Sequence, residues 1–406
     1  MDASPRTAVF SRITMDTPHD CESVEEIKEA LQNNNQAKAM AKIQEYLDRQ
    51  NNIPLNIAIT GETGSGKSTF VNAFRGIKDG DAGAAPTGVR ETTKKPTPYP
   101  HPNYPNVKLW DLPGVGGRHF PADQYLNDVG FEKFDFFIIF SDTRFRENDV
   151  KLAREIQRMK KKFYFVRSKI DNDLRAQKRS QREFSETETK EQIKEDCIQC
   201  LQEQGIQSPQ VFLVSSFELH LHDFSLLTET LERELPEHKR NALLFAMPNI
   251  SLEIINKKKK AFQAKIKWHA TLSAAAAGVP VPGLSIAVDA ALLAGVVTQY
   301  VFGFGLDRPS LKSLAESSGV PFDDLMTVII SPLAAREMTA DLIIKVLSQC
   351  AGTAALIAAE EGSRLIPIIG IPAAMALSFT ATYSTLNFIL NNIAADAQKV
   401  FEKALG

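Results

Sequence analysis

Cysteine is scarce in this sequence, and neither sign of charge predominates. The 406 residues include four cysteines, 47 basic and 49 acidic side chains, which gives a formal net charge of −2. So few and scattered cysteines exclude a secreted disulfide framework and favour a reducing compartment. Because there is no basic excess, we expect no nucleic-acid partner. A chain of this length is expected to form more than one folding unit.

Common targeting signals are also missing. Residues 1–20 contain no cationic segment followed by an apolar core, so no signal peptide is predicted. Position 2 is Asp rather than Gly, and the chain ends Lys-Ala-Leu-Gly, which predicts neither N-myristoylation nor prenylation. With the cysteine usage, these features predict a cytoplasmic protein.

Charge is sparse towards the carboxyl end. Residues 365–395 contain no Asp, Glu, Lys or Arg, a length that could cross a bilayer, but Pro367 and Pro372 interrupt the start. A buried core helix is the preferred interpretation, with peripheral or inserted membrane contact as the alternative. Upstream, the cluster Lys257–Lys260 precedes three apolar residues, Phe262, Ile266 and Trp268. It predicts either a solvated helix face or a surface for anionic lipid.

Strands and helices alternate in the first part of the chain. Apolar runs predict buried strands at Leu55–Thr60, Val107–Leu112, Phe134–Phe140, Phe163–Arg167 and Val211–Val214. Helical patterns lie between them at Ser68–Arg75, Glu147–Lys162 and Glu186–Gln204. Such alternation predicts an α/β fold with a mostly parallel sheet. From Ser251 onward only helices are predicted, at Ser251–Ala277, Ser285–Phe302, Ser310–Ser318, Ala340–Ala359 and Ala373–Leu405.

A complete G-x-x-x-x-G-K-S motif, residues 61–68, lies between a predicted strand and a predicted helix. Its glycines let backbone N–H groups face a phosphate, and the helix N-terminus adds partial positive charge. Lys67 is expected to reach the β and γ phosphates, and the Ser68 hydroxyl to bind Mg²⁺. The predicted nucleotide ligands here are Gly61, Thr63, Gly64, Ser65, Gly66, Lys67, Ser68 and Thr69.

The turn Trp110-Asp111-Leu112-Pro113-Gly114 follows the next predicted strand. Asp111 is expected to hold Mg²⁺ through water, and the Gly114 N–H to sense a γ-phosphate. Between the two motifs, Thr93 is preferred to Thr92 as the second hydroxyl ligand of Mg²⁺. A solvent-facing hydroxyl is the alternative for either threonine.

The segment Arg167-Ser168-Lys169-Ile170-Asp171 ends another strand, where doubly wound sheets bind ligands. Asp171 can accept from the N1–H and 2-amino group of guanine, a donor pair that adenine lacks, while the Lys169 stem lies along the base. Ser215 and Ser216 stand where a backbone N–H contacts the guanine O6. Together the motifs predict a GTPase that binds GTP and GDP with Mg²⁺.

These residues resemble the interferon-inducible immunity-related GTPases, a dynamin-like family of cell-autonomous defence. The resemblance rests on residues 61–68, 83–88, 110–114 and 163–171, and on Phe134-Asp135-Phe136-Phe137-Ile138-Ile139 and Tyr125-Leu126. It implies a Ras-like P-loop GTPase domain, together with an all-α domain that the N- and C-terminal segments form jointly. The expected boundaries are an N-terminal helical segment at 1–50, a GTPase domain at 51–240 and a C-terminal helical domain at 241–406.

The resemblance also bears on catalysis and partners. Val115 occupies the position where Ras-like enzymes place a water-orienting glutamine, so slow hydrolysis by a monomer is expected. The resemblance implies that GTP-bound chains pair through their GTPase domains and assemble further, with Glu62 acting at the facing γ-phosphate. A solvated loop carboxylate is the alternative for Glu62. The chain is expected to act peripherally at intracellular membranes. The alternative is a non-hydrolysing GTP-dependent regulator whose helical domain binds a partner protein.

Overall fold

The chain divides into two compact units, Pro54–Ser251 and a second that combines Met1–Ile53 with Leu252–Gly406. The computed structural model describes residues 35–88, 93–114, 125–277, 284–334 and 373–405, with some positions between 23 and 33 and residue 342. Helix α1 (Gln36–Asn51) belongs to the second unit. The second unit is therefore built from the parts of the sequence that precede and follow the first unit.

A six-stranded sheet forms the centre of the first unit. Its strands are β1 (Leu55–Gly61), β2 (Thr97–Pro100), β3 (Val107–Asp111), β4 (Phe136–Ser141), β5 (Lys162–Arg167) and β6 (Val211–Leu213). Their order is β2-β3-β1-β4-β5-β6, and only the β2–β3 pair is antiparallel among these strands. The predicted α/β class with a mostly parallel sheet is confirmed.

Helices cover both faces of this sheet. They are α2 (Lys67–Phe74), α3 (Tyr125–Val129), α4 (Glu147–Arg158), α5 (Ile170–Ser180), α6 (Glu186–Glu203), α7 (Phe224–Glu234) and α8 (Glu237–Ala246). Successive side chains of a strand point to opposite faces. On β4, Phe137 and Ile139 therefore pack with apolar residues of α4 and α6, whereas Phe140 contacts Phe70 of α2.

Three local features differ from the sequence-based prediction. Strand β4 begins two residues later than predicted. At this point the Asp135 side-chain carboxylate accepts the Asn56 N–H, at 2.8 Å, in place of a backbone carbonyl of the strand. Helix α4 ends at Arg158 instead of Lys162, since Lys160 adopts a left-handed conformation and residue 162 already starts β5. Strand β2 was not predicted because it contains two prolines, which an edge strand tolerates.

The second unit is helical throughout its described residues. Its further helices are α9 (Leu252–Ala277), α10 (Leu284–Gly303), α11 (Arg308–Ser318), α12 (Phe322–Thr327) and α13 (Ala373–Leu405). Helix α1 packs on α9, where Ile43 and Leu47 share an apolar cluster with Trp268 and Leu272. The prediction that N- and C-terminal segments pack together as helices is confirmed. The helix predicted at 340–359 lies outside the described residues, apart from Leu342.

Helix α13 packs along α9 through small and hydroxyl side chains. The Ser273 hydroxyl lies 2.7 Å from the Ser378 hydroxyl and 2.8 Å from that of Thr382. These bonds satisfy polar groups that would otherwise be costly to bury. This favours a core helix for residues 373–395, while 365–372 lie outside the described part. In the portion of the chain that the structure describes, no helix has the length and apolar character required to traverse a bilayer.

The lysine cluster before Phe262 does not form a lipid-facing surface with its aromatic neighbours. Phe262, Ile266 and Trp268 are all buried, and Phe262 packs against two aromatic rings of α10 and the segment after it. Lys258 is buried too: its ammonium donates to the Gly303 carbonyl oxygen at 2.8 Å, and burial lowers its pKa to about 7. The anionic-lipid interpretation of this cluster is therefore wrong, because the apolar anchors it requires belong to the core.

Candidate functional site

The predicted motifs meet at the carboxyl ends of three parallel strands. Strand β1 leads into residues 61–66, β3 ends at Asp111, and β5 ends at Arg167. They surround a cavity of about 290 Å³. Its lining residues are Thr63, Gly64, Gly66, Lys67, Ser68, Thr69, Thr87, Gly88, Thr93, Gly114, Ser168, Lys169, Asp171, Asn172, Ser216 and Phe217. Residues that are distant in sequence thus contribute to one cavity.

Glycines shape the loop at one end of the cavity. Gly64 and Gly66 have φ angles of 87° and 92°, which favour glycine over other residues. At Gly61, an added Cβ would lie 2.1 Å from the Phe140 carbonyl oxygen, so a larger residue does not fit. No side chain caps α2 at Gly66. The N–H groups of the first helical turn can therefore serve an anionic ligand.

Lys67 brings a cation to this end of the cavity. Its side chain folds back along the loop, and Nζ donates to the carbonyl oxygens of Gly61 at 3.1 Å and Glu62 at 2.8 Å. Most of the residue is buried. The ammonium is thus held beside the backbone N–H groups that face the cavity, where a phosphate can accept hydrogen bonds from both.

Ser68, Thr93 and Asp111 form a compact oxygen cluster. The Ser68 hydroxyl donates to Oδ2 of Asp111 at 2.6 Å, and the Thr93 hydroxyl donates to the same oxygen at 2.8 Å. Asp111 is fully buried, and its Oδ1 has no hydrogen-bond partner among the described residues. Burial raises the pKa of Asp111, while the two hydroxyl donors act in the opposite direction. Thr92, the alternative to Thr93, lies outside the described residues.

Gly114 lies directly against the P-loop, the G-x-x-x-x-G-K-S motif at residues 61–68. A Cβ built on Gly114 would be 2.2 Å from the Thr63 hydroxyl oxygen and 2.9 Å from the Thr63 backbone nitrogen. Contacts this short require the loop or the turn to move. The backbone of the Asp-x-x-Gly turn is therefore coupled to the loop at residues 61–66 through a position where only glycine fits.

Gly114→Ala is expected to lower the free energy of unfolding by about 1–3 kcal/mol, because the added methyl overpacks this contact. The double variant Gly114→Ala, Thr63→Ala should recover part of that loss, since it removes the nearest atom. Thermal unfolding of the single and double variants checks this. Equal melting temperatures for Gly114→Ala and the unmodified chain would contradict the contact.

The other end of the cavity carries Lys169. Its Nζ donates to the Gly64 carbonyl oxygen at 2.7 Å and to the Asp142 carboxylate at 2.9 Å, so the side chain spans from β5 to the P-loop. The neighbouring Ser168 hydroxyl donates to the Ser65 carbonyl oxygen at 2.6 Å. These bonds fix the stem of Lys169 as a wall of the cavity.

Asp171 faces the cavity from the start of α5. The residue is buried, and the Arg175 guanidinium lies 3.5 Å from its Oδ2. Ser216 lines the same end, whereas Ser215 is buried beneath it and does not line the cavity. Asn172 and Phe217 also line this end, although no motif predicted them. Their only sequence signal is adjacency to Asp171 and to the Ser215-Ser216 pair.

The sequence as a whole is similar to proteins of one known family. A sequence model of the interferon-inducible GTPase family, IIGP, matches residues 20–404. The chain belongs to this family. Interferon-inducible GTPase 5 of Rattus norvegicus is 42% identical over 386 residues, with 95% of this chain and 83% of the relative covered. The predictions of family and of enzyme class, a GTPase, are confirmed.

Two mouse relatives extend the comparison within the interferon-inducible GTPase family. Interferon-gamma-inducible GTPase 10 of Mus musculus is 35% identical over 407 residues, which covers 99% of this chain and 94% of the relative. Interferon-inducible GTPase 1 of Mus musculus is 39% identical over 298 residues, which covers 73% and 72%. The match therefore includes both the sheet-containing unit and the helical unit.

In this family member, Glu62 does not line the cavity, and its carboxylate accepts a hydrogen bond from the Arg146 guanidinium. Arg146 precedes α4, and its backbone N–H donates to Asp149 at 3.1 Å. Asp149 is buried, and burial, with a smaller effect of the Glu62 charge, raises its pKa to about 7. Arg146 thus links the P-loop carboxylate to the start of α4.

Some predicted residues of this GTPase stand behind the cavity wall. Gly61, Ser65, Asp111 and Ser215 support its lining residues but do not line it themselves. Val115 lies outside the described residues, so its prediction stays a prediction. In the described part of the chain there is no group of three His, Cys, Asp or Glu residues that could hold a metal ion.

Proposed function

We propose that this family member binds GTP and GDP with Mg²⁺ in the cavity and hydrolyses GTP most rapidly when its GTPase domains pair. The nucleotide assignment rests on one observation. A cation on the P-loop, an oxygen cluster around Asp111 and a buried carboxylate beside Lys169 surround a single cavity. Triphosphate, metal ion and guanine need these three chemistries, respectively.

We assign the phosphates to the P-loop end. The proposed phosphate-binding residues are Gly61, Thr63, Gly64, Ser65, Gly66, Lys67, Ser68 and Thr69, with the Gly114 N–H for the γ-phosphate. Gly61 and Ser65 do not line the cavity, so they are proposed to act by shaping the loop that holds the others. Lys67, which already bonds to carbonyl oxygens beside the cavity, is expected to exchange those partners for phosphate oxygens.

The residues around Asp111 fit a magnesium ion. Mg²⁺ prefers oxygen ligands, and nucleotide sites supply it with few carboxylates together with substrate phosphates. Ser68 and Thr93 would bind it directly and Asp111 through water, using the Oδ1 that has no other partner in the described structure. When bound, the ion neutralises charge that develops on the phosphates.

We assign the guanine base to the opposite end of the cavity. The Asp171 carboxylate can accept from the two donors on one edge of guanine, and the stem of Lys169 provides a wall for the ring. Ser216 supplies a backbone N–H, while the buried Ser215 holds the turn. Arg175, close to Asp171, keeps that carboxylate oriented.

Rapid catalysis is proposed to require a second chain. Lys67 and Thr93 stabilise the transferring phosphoryl group, but Val115 cannot orient the attacking water. Glu62 pairs with Arg146 within one chain, which occupies its carboxylate. Pairing of two GTPase domains would bring Glu62 of each to the γ-phosphate of the other, in a site from which water is excluded. A net charge of only −2 opposes such self-association weakly.

The specific GTPase activity is expected to rise with protein concentration, and Glu62→Ala is expected to lower it at least about tenfold while GTP binding and assembly remain. Phosphate release and light scattering, measured together at several protein concentrations with GTP and with GDP, check this. Glu183→Ala, a carboxylate outside the cavity, is the matched control.

An activity independent of concentration, or equal assembly in GTP and GDP, would refute pairing. That result would favour the alternative, a GTP-dependent regulator whose helical domain binds a partner protein.

The proposed domains are 1–50, 51–240 and 241–406, of which the first and last form the helical domain. We propose that the protein acts in cell-autonomous defence, in the cytoplasm and peripherally at intracellular membranes.

A further inference from the structure

Phe217 is both highly exposed to solvent and part of the cavity lining. It is 70% exposed, and it lines the nucleotide cavity at the end that contains Asp171 and Lys169. Single exposed apolar residues are common on protein surfaces, so exposure alone indicates little. Leu226, at 45% exposure, is such a residue and does not line the cavity.

The backbone of Phe217 is held in place although its ring faces solvent. Ser215 is completely buried, and its hydroxyl oxygen accepts the Phe217 N–H at 3.3 Å. The next residue bonds to the same serine, because the Glu218 N–H donates to the Ser215 carbonyl oxygen at 3.3 Å. The ring is therefore presented from an ordered turn at the rim of the cavity.

The chemistry of the surrounding residues indicates what this ring can contact. Of its neighbours in the lining, Asp171, Asn172 and Ser216 are polar and suit the edge of a ligand, whereas the stem of Lys169 can lie along one face. A purine base has both a polar edge and apolar faces. An aromatic ring beside such an edge-reading group adds stacking, which tolerates different bases because every base has a π-face.

We propose that Phe217 covers the base of the bound nucleotide and sets how long the nucleotide stays bound. The inference rests on the proposed function, since it assumes that the base lies at this end of the cavity. Asp171 selects guanine by hydrogen bonds, whereas Phe217 adds affinity that depends little on the identity of the base. The ring loses its contact with water when the base binds, which contributes to affinity for GDP as much as for GTP.

Equilibrium binding of GDP and GTP to Phe217 variants of the 406-residue chain tests the proposal. Phe217→Ala is expected to weaken both nucleotides about 5- to 100-fold, mainly through faster dissociation. Phe217→Leu, which keeps an apolar side chain without the aromatic ring, should bind both nucleotides more weakly than the unmodified chain. Phe217→Trp, which keeps an aromatic ring, should bind them about as tightly as the unmodified chain. Leu226→Ala is the matched control and should bind normally.

A spectroscopic measurement separates base contact from an indirect structural effect. Phe217→Trp adds a fluorophore at the cavity rim to the native Trp110 and Trp268. Its emission, taken as the difference between the variant and the unmodified chain, should change when GDP binds, with a midpoint equal to the dissociation constant. Unchanged emission, or dissociation constants of Phe217→Ala within twofold of the unmodified chain, would overturn the inference. If Phe217→Ala instead abolishes association with another protein while nucleotide affinity is normal, the ring belongs to a docking surface and the inference is wrong.

Failure of this inference can be distinguished from failure of the proposed function. If Asp171→Asn shifts preference from guanine to xanthine but Phe217→Ala has no effect, the base lies at this end without contacting the ring. If neither variant alters nucleotide affinity, the assignment of the base itself fails. The affinity of Asp171→Asn for xanthine nucleotides should also fall when Phe217→Ala is added, because stacking does not depend on the edge of the base.

Discussion

Lys67→Ala is expected to lose at least about 100-fold in GTP affinity and nearly all GTPase activity. The ammonium lies beside the P-loop carbonyls at the phosphate end, and each hydrogen bond between charged groups contributes about 1.5–3 kcal/mol. Two such bonds to the β and γ phosphates correspond to a factor of 100 or more. Calorimetric titration with GTP and phosphate-release kinetics measure the loss.

The fold should survive this substitution, although the side chain is mostly buried. Lys67→Met provides the control, because it keeps the stem of the side chain and removes only the charge. Both variants should have the far-ultraviolet circular dichroism of the unmodified chain. If a folded Lys67→Ala turns over GTP at the normal rate, the P-loop assignment is wrong.

Asp171→Asn is expected to weaken GTP at least about 100-fold and to favour xanthosine triphosphate. An asparagine offers one acceptor and one donor group, so it cannot accept from both donors of guanine, whereas xanthine presents an oxygen that the amide can bind. Sites built to hydrogen-bond one ligand reject an analogue strongly, because buried polar groups would be left unpaired. Competition of GTP, xanthosine triphosphate and ATP against one labelled nucleotide measures the change.

Asp173→Asn is the matched control for this substitution. Asp173 lies on the same helix, but it pairs with Arg167 and does not line the cavity. Its base preference should be that of the unmodified chain. If ATP competes with labelled GTP as well as GTP itself does in the unmodified protein, Asp171 does not select guanine.

Much of the proposed nucleotide site was predictable because its chemistry is local. The P-loop needs glycines at particular positions, so residues 61–68 carry the turn and the cation in one short segment. Each further motif directly follows an apolar run that could be recognised as a strand. Parallel strands align their carboxyl ends at one edge of the sheet. The sequence alone therefore predicts that Asp111 and Asp171 lie at the same edge.

Contacts between those motifs were not predictable in the same way. The pairing of Glu62 with Arg146 joins residues 84 positions apart, and no pattern near either residue indicates it. Phe217 follows two serines in a loop. The neighbouring residues do not indicate whether its ring packs in the core or lines the cavity. Both depend on how loops from different strands converge, which is decided by side-chain geometry in three dimensions.

The helical unit shows the same division. Helical periodicity by itself determined that residues 252–277 and 373–405 form helices, because the pattern of apolar side chains repeats with the helical turn. It did not determine which face meets a partner helix, so Phe262 and Trp268 allowed a lipid surface as well as a core. Only the tertiary structure decided this: α1, α10 and α13 cover α9, and apolar side chains gain more from packing there than from facing solvent.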